Sequence, residues 1–284
     1  MLALLTLGPL ELTTDLSVIS LAVLTVATFI LAYLAGMVGM ALGVILLPLM
    51  LFLGVDPLTA AGTNLAVSVT IAIAGGWLHY RAGRVANRIV LLMGVPALVG
   101  SFVGAQFSTA VSVWMLMTLI GVVLAWSGLV GVVRGLSAER AAHLAAGEAA
   151  NPAKPSGPGP KRLTLETAVG FAIGVAGGAV GLVLGTVRMP ALVNVLKLTP
   201  AMAIGTNTVI GLLVGVFGFI GHALHGNYDL TLVVTLGVIS MGGSFLGARR
   251  TGKLKPDALR LTIGATLLGI APVMFYRAIV SFPD

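Results

Sequence analysis

Two copies of the tripeptide Gly-Thr-Asn stand inside otherwise apolar stretches. Gly62-Thr63-Asn64 opens "GTNLAVSVTIAIAGGWLHYRAGRV", and Gly205-Thr206-Asn207 opens "GTNTVIGLLVGVFGFIGHALHGNY" 143 positions later. Hydroxyl and amide groups in hydrocarbon do one of two things. They hydrogen-bond a neighbouring helix as packing glue, or they are kept for a ligand. As donors, Thr63, Asn64, Thr206 and Asn207 suit the oxygens of an anion. Each copy also follows a glycine-rich stretch ending in proline: "GMVGMALGVILLP" (36–48) and "GAVGLVLGTVRMP" (178–190). Glycines there break a helix and free backbone N–H groups, which favour an anion in the same way. We expect the breaks at Gly39 and Gly43 in the first copy and at Gly181 and Gly185 in the second.

Charged groups narrow the chemistry. Asp56, Glu166 and Asp229 stand at the ends of apolar runs, and no acid falls in the middle of one. A cation pathway would normally carry an intramembrane carboxylate. Arg188, in "LGTVRMP", is the charge beside a glycine break, and its fork of donors fits a planar or tetrahedral oxyanion. An arginine so close to a run's end can equally snorkel to the headgroups. His79 and His222 end the two Gly-Thr-Asn helices. There they can gate, carry a coupling proton, or sit as interfacial residues bonded to backbone.

These residues need helices to hold them. The chain has 284 residues, 58% hydrophobic and 9% charged, with a mean hydropathy of +1.09. A soluble domain carries about 25% charged residues. The composition is that of an all-α integral membrane protein. Apolar segments fall at about 17–37, 40–54, 57–79, 88–108, 111–133, 164–182, 184–197, 200–224, 229–248 and 259–281. The second and seventh are short for a span, so they are expected to be short or broken within protein. Residues 1–133 form a first transmembrane repeat and 164–284 a second. Between them, 134–163 read as a flexible cytoplasmic linker rich in Pro, Gly, Ala and charge. The N-terminus has no basic leader region and does not read as a cleaved signal peptide.

With all ten segments crossing and the N-terminus outside, every Lys and Arg except Arg188 and Arg277 falls on the cytoplasmic side. Making segments two and seven re-entrant spoils that bias, so ten crossings are preferred. Five crossings per half insert the second half upside down, and inverted repeats around a midplane site mark secondary transporters. Both termini then lie outside the cytoplasm. The net charge of +7 is the usual basic-loop signal rather than a nucleic-acid footprint. Without Cys, thiol catalysis and disulfides are excluded. No HExxH-type spacing predicts a metal, no nucleophile–base set predicts an enzyme, and no cofactor is expected.

The ordered set resembles the TauE/SafE family of sulfite exporter-type permeases. The resemblance is carried by the two Gly-rich breaks ending in Pro48 and Pro190, the Ala-x-Gly-Thr-Asn blocks at 60–64 and 203–207, and "HYRAGRV" at 79–85. It covers nearly the whole chain except the linker. It implies a bacterial inner-membrane permease for small anions, often sulfur-containing: sulfite, thiosulfate, sulfoacetate and related organosulfonates. The alternatives are an anion channel and a non-transporting assembly partner. The coupling ion, proton or none, the direction of transport and the oligomeric state stay open.

Overall fold

The structure is a computed structural model and describes residues 14, 16–38, 43–136, 160–249 and 256–282. Gly39 lies outside these residues. Among them the chain forms ten helical stretches and no strand. In the first half these are α1 (Val18–Val38), α2 (Gly43–Phe52), α3 (Pro57–Arg81), α4 (Asn87–Ala110) and α5 (Val113–Leu136). In the second they are α6 (Pro160–Val180), α7 (Gly185–Pro190, continuing as a π-helical turn over Ala191–Val195), α8 (Pro200–Ala223), α9 (Leu230–Ala248) and α10 (Pro256–Val280).

Six stretches are long and apolar enough to cross a bilayer: Pro57–Arg81, Asn87–Ala110, Val113–Val133, Pro200–Ala223, Leu230–Gly247 and Leu261–Val280. Val18–Leu34, Gly43–Phe52 and Glu166–Val180 are apolar but shorter. Segments two and seven are short, as expected: α2 has 10 residues and α7 has 6 before its π turn. The predicted linker is helical at both ends. α5 runs to Leu136, and Pro160 starts α6, where a missing N–H costs nothing. Large apolar side chains such as Ile19, Trp77, Leu91 and Ile279 point outward. In water such a surface would be untenable, whereas lipid accepts it.

Helix ends follow the sequence closely. Asp56 caps α3, its carboxylate accepting from Leu58 N–H at 3.0 Å and Thr59 N–H at 3.2 Å, with Pro57 next. Thr199 caps α8 the same way, accepting from Met202 N–H at 3.4 Å, with Pro200 next. Both helices stop at left-handed glycines, Gly83 and Gly226, which a Cβ would strain.

Packing is reciprocal between the halves. α3 lies against α8 and α5 against α10; α1 packs on α9 while α6 packs on α4. Backbones come close where glycine allows it. On α6, Gly170, Gly174 and Gly178 rest against the carbonyls of Met93, Ala97 and Ser101 on α4. That spacing of four places small residues on one face, so helices with no hydrophobic drive between them can still pack tightly. The core is filled by Leu24, Leu47, Met50, Leu51, Ile120 and Leu124, with α2 at its centre.

Candidate functional site

The Gly-Thr-Asn residues divide their work. Gly62, near the start of α3, faces the end of α8: a Cβ there would collide with Asn227 O and come within 2.9 Å of His222 Cβ. Gly205, near the start of α8, faces the end of α3: a Cβ there would collide with Arg84 O and lie 3.1 Å from His79 Cβ. Each helix start therefore packs on the other's end, and α3 and α8 run antiparallel.

The threonines hold the next helix in place. Thr63 Oγ1 accepts from Asp229 N–H at 3.0 Å, where α9 begins. Thr206 Oγ1 accepts from Ala86 N–H at 2.9 Å, where α4 begins. A helix start has orphan donors, and a buried one left unpaired is costly. Thr63 and Thr206 thus have backbone partners in the opposite half.

The asparagines face the breaks. Asn64 is fully buried and its Nδ2 donates to Gly181 O at 2.8 Å. That bond assigns the amide: the nitrogen is on the carbonyl, so Oδ1 is the end left over, and it has no partner. Gly181 has φ 74°, and a Cβ on it would collide with Ala61, so the turn between α6 and α7 needs glycine twice over. Asn207 lies against Gly185, whose added Cβ would stand 2.6 Å from its Nδ2. Gly43 lies against Asn64 and Ser68 in the same way, at 3.3 Å and 2.7 Å.

Arg188 completes the second break. It is the largest fully buried side chain, with 0% exposure. Its Nη1 donates to Asn207 Oδ1 at 3.1 Å. Its Nε and Nη2 have no partner, and no ion pair to it occurs among the described residues. The burial excludes a snorkelling role. A guanidinium with two idle donors and no counter-charge is an expensive thing to bury, and an oxyanion is what would offset it.

The histidines stand in the last turns of α3 and α8. His222 is fully buried, with Nε2 2.9 Å from Gly178 O. A carbonyl only accepts, so Nε2 carries the hydrogen and Nδ1 is the unpartnered acceptor. His79 is partly buried and its Nδ1 also lacks a partner. The Cβ of each lies against the opposite half's Gly-Thr-Asn glycine. Sequence reasoning passed over Thr28, Ser127 and Thr186. Ser127 and Thr186 share a 2.8 Å hydroxyl contact two residues from Arg188. Their one signal is a hydroxyl in an apolar run.

The profile of the family "Sulfite exporter TauE/SafE" matches residues 24–274. The chain belongs to the TauE/SafE family. It is 27% identical over 244 residues to "Probable membrane transporter protein YdhB" of Bacillus subtilis, covering 84% of this chain and 93% of that one. A second B. subtilis protein, "Probable membrane transporter protein YunE", is 22% identical over 289 residues, covering 92% of this chain and all of the other. A "Probable membrane transporter protein" of Xylella fastidiosa strain Temecula1 is 27% identical over 259 residues, 86% of this chain and 93% of that one. No solved structure matches. With its family and its spans, this TauE/SafE member is a multi-pass membrane transporter, not an enzyme.

Proposed function

We propose that this transporter is a secondary carrier of small anions, of the sulfur-oxyanion and organosulfonate class that includes sulfite, thiosulfate and sulfoacetate. The observation that carries the reading is Arg188: fully buried, bonded once to Asn207, with Nε and Nη2 free. The anion's oxygens take those two donors, and Asn207 orients the guanidinium. Backbone N–H groups at the Gly181–Gly185 break add to the cradle. Thr63 and Thr206 position the helices rather than touch the anion.

Alternating access follows from inverted repeats. The antiparallel run of α3 against α8 and the reciprocal pairing of the helices support that reading. All ten segments then cross the bacterial inner membrane, both termini face outward, and 134–163 lie in the cytoplasm. His79 and His222, each packed against the other half's glycine, move with the rocking and are the groups through which a proton gradient would act.

Uptake of radiolabelled sulfite and thiosulfate into liposomes holding the purified protein tests this, with and without a pH gradient. The expected result is saturable uptake that disappears in Asn64→Ala/Asn207→Ala while the protein still folds. Undiminished uptake by the double variant places the site elsewhere.

A further inference from the structure

The first break has no arginine. Leu46 stands where the second break has Arg188. In its place is a small cavity lined by Thr28 of α1, Gly43 of α2, Ser68 of α3 and Ser240 of α9, with apolar walls of Leu31, Leu46 and Val67. It has room for about one water-sized particle.

Its polar groups are oxygens with lone pairs to spare. Thr28 is buried, and its Oγ1 has no partner. Ser68 Oγ stands 2.7 Å, and Asn64 Nδ2 and Oδ1 3.3 Å and 3.4 Å, from where a Cβ on Gly43 would sit. Asn64 Oδ1 is also without a partner, because the amide nitrogen is committed to Gly181 O. Ser240 Oγ lies 2.9 Å from Gly237 O and 3.1 Å from Thr70 Oγ1, which itself lies 2.7 Å from Val67 O. The two hydroxyl hydrogens can serve only two of those contacts, and with both directed at backbone carbonyls the oxygens of Ser240 and Thr70 keep lone pairs to spare.

We propose that this cavity binds a monovalent alkali cation, sodium by size, that travels with the anion. The proposal rests on the anion-carrier reading. Hard cations take oxygen ligands, and carriers bind coupling ions beside broken helices. Among the described residues no carboxylate lines the cavity, so a cation there is balanced by the co-bound anion rather than by the protein, which suits a single charge and not a cation pathway of its own. The charge balance points the same way. A dianion on Arg188 leaves one negative charge uncompensated in hydrocarbon, and one cation at the neighbouring break neutralises it. Asn64 links the two sites: its amide lies against Gly43 beside the cavity, and its nitrogen holds Gly181 O at the second break. Binding of either ion therefore fixes the same side chain, which couples them.

The test is thermal unfolding of the full-length purified protein at constant ionic strength, with sodium chloride replaced stepwise by potassium or choline chloride. The wild type should show a saturable, sodium-specific rise of about 2–4 °C. Thr28→Val should fold as the wild type does, since the hydroxyl it loses bonds nothing, and should need about tenfold or more sodium for the same rise. Ser68→Ala should do likewise. Equal melting in all three salts, or a full sodium response in Thr28→Val, overturns the proposal and leaves the cavity to a single water. Anion uptake measured in the same salts separates the two readings. Uptake that ignores sodium, with no sodium-specific melting shift, removes the cation site alone. A sodium-specific melting shift with no uptake of any anion keeps the cation-binding cavity but overturns the anion-carrier reading and, with it, the proposed co-transport.

Discussion

Replacing Arg188 by methionine should separate a ligand-binding arginine from a structural one. In the wild type the guanidinium is wholly buried, makes one hydrogen bond and meets no counter-charge. An arginine at the centre of a membrane helix costs about 2.5–3.5 kcal/mol. Methionine removes that cost and a single charge-assisted bond worth about 1.5–3 kcal/mol. The two nearly cancel, so without anion the variant should melt at or slightly above the wild-type temperature. The anion side does not cancel. Two charge-assisted bonds at about 1.5–3 kcal/mol each sum to about 3–6 kcal/mol, a loss of about 10²–10⁴ in affinity. Arg188→Lys keeps the charge but not the fork, and should lose about 10–100-fold. The assay pairs thermal unfolding in graded sulfite or thiosulfate with liposome uptake. Anion should stabilise the wild type and leave Arg188→Met unmoved. The reasoning is refuted if Arg188→Met binds anion as the wild type does. It is equally refuted if the variant melts far below the wild type with and without anion, since its donors would then be serving the fold.

Thr206→Val should destabilise by about 1 kcal/mol, because the half-buried Ala86 N–H loses its acceptor, and Thr206→Ser should restore most of it; anion affinity at saturation of folding should not change in either, as read by unfolding and uptake together. Gly62→Ala and Gly205→Ala should each cost about 1–3 kcal/mol, since the new methyl meets a backbone carbonyl on the opposite helix end; equal melting to the wild type would mean the helices can part freely. Gly181→Ala should be worse, combining a left-handed φ of 74° with a collision on Ala61, and poor yield of folded protein in detergent is the expected readout. His222→Gln should abolish any response of uptake to a pH gradient if that ring carries the proton, and an unchanged response would assign coupling elsewhere.

The helices were legible because apolar runs and caps are local. Asp56-Pro57 and Thr199-Pro200 mark the starts of α3 and α8 in the letters and in the structure alike. The second break, between Val180 and Gly185, was legible because glycine before a proline is local too. The division of labour within Gly-Thr-Asn was not. Thr63 reaches an N–H 166 positions away, and a hydroxyl on a helix gives no sign of which neighbour will claim it. Arg188 reads equally as a site or a snorkelling residue until its burial is known, since seven residues from Gly181 is a distance on either path. The histidines read as interfacial because α3 and α8 end there. Each also packs its Cβ against a glycine of the other half, and only the antiparallel pairing shows it. Gly39 falls outside the described residues, as do 40–42, so of the expected first break only Gly43 is described, at the start of α2.

The central claim is that one buried anion site, built on Arg188 and Asn207, opens to each side in turn. Counterflow tests it most directly. Liposomes holding the protein are loaded with unlabelled sulfite or thiosulfate and diluted into a trace of the same labelled ion. The account predicts transient accumulation of label above its outside concentration, abolished by Arg188→Met. Label that only equilibrates, at a rate indifferent to the anion loaded inside, would indicate an open pore and contradict it.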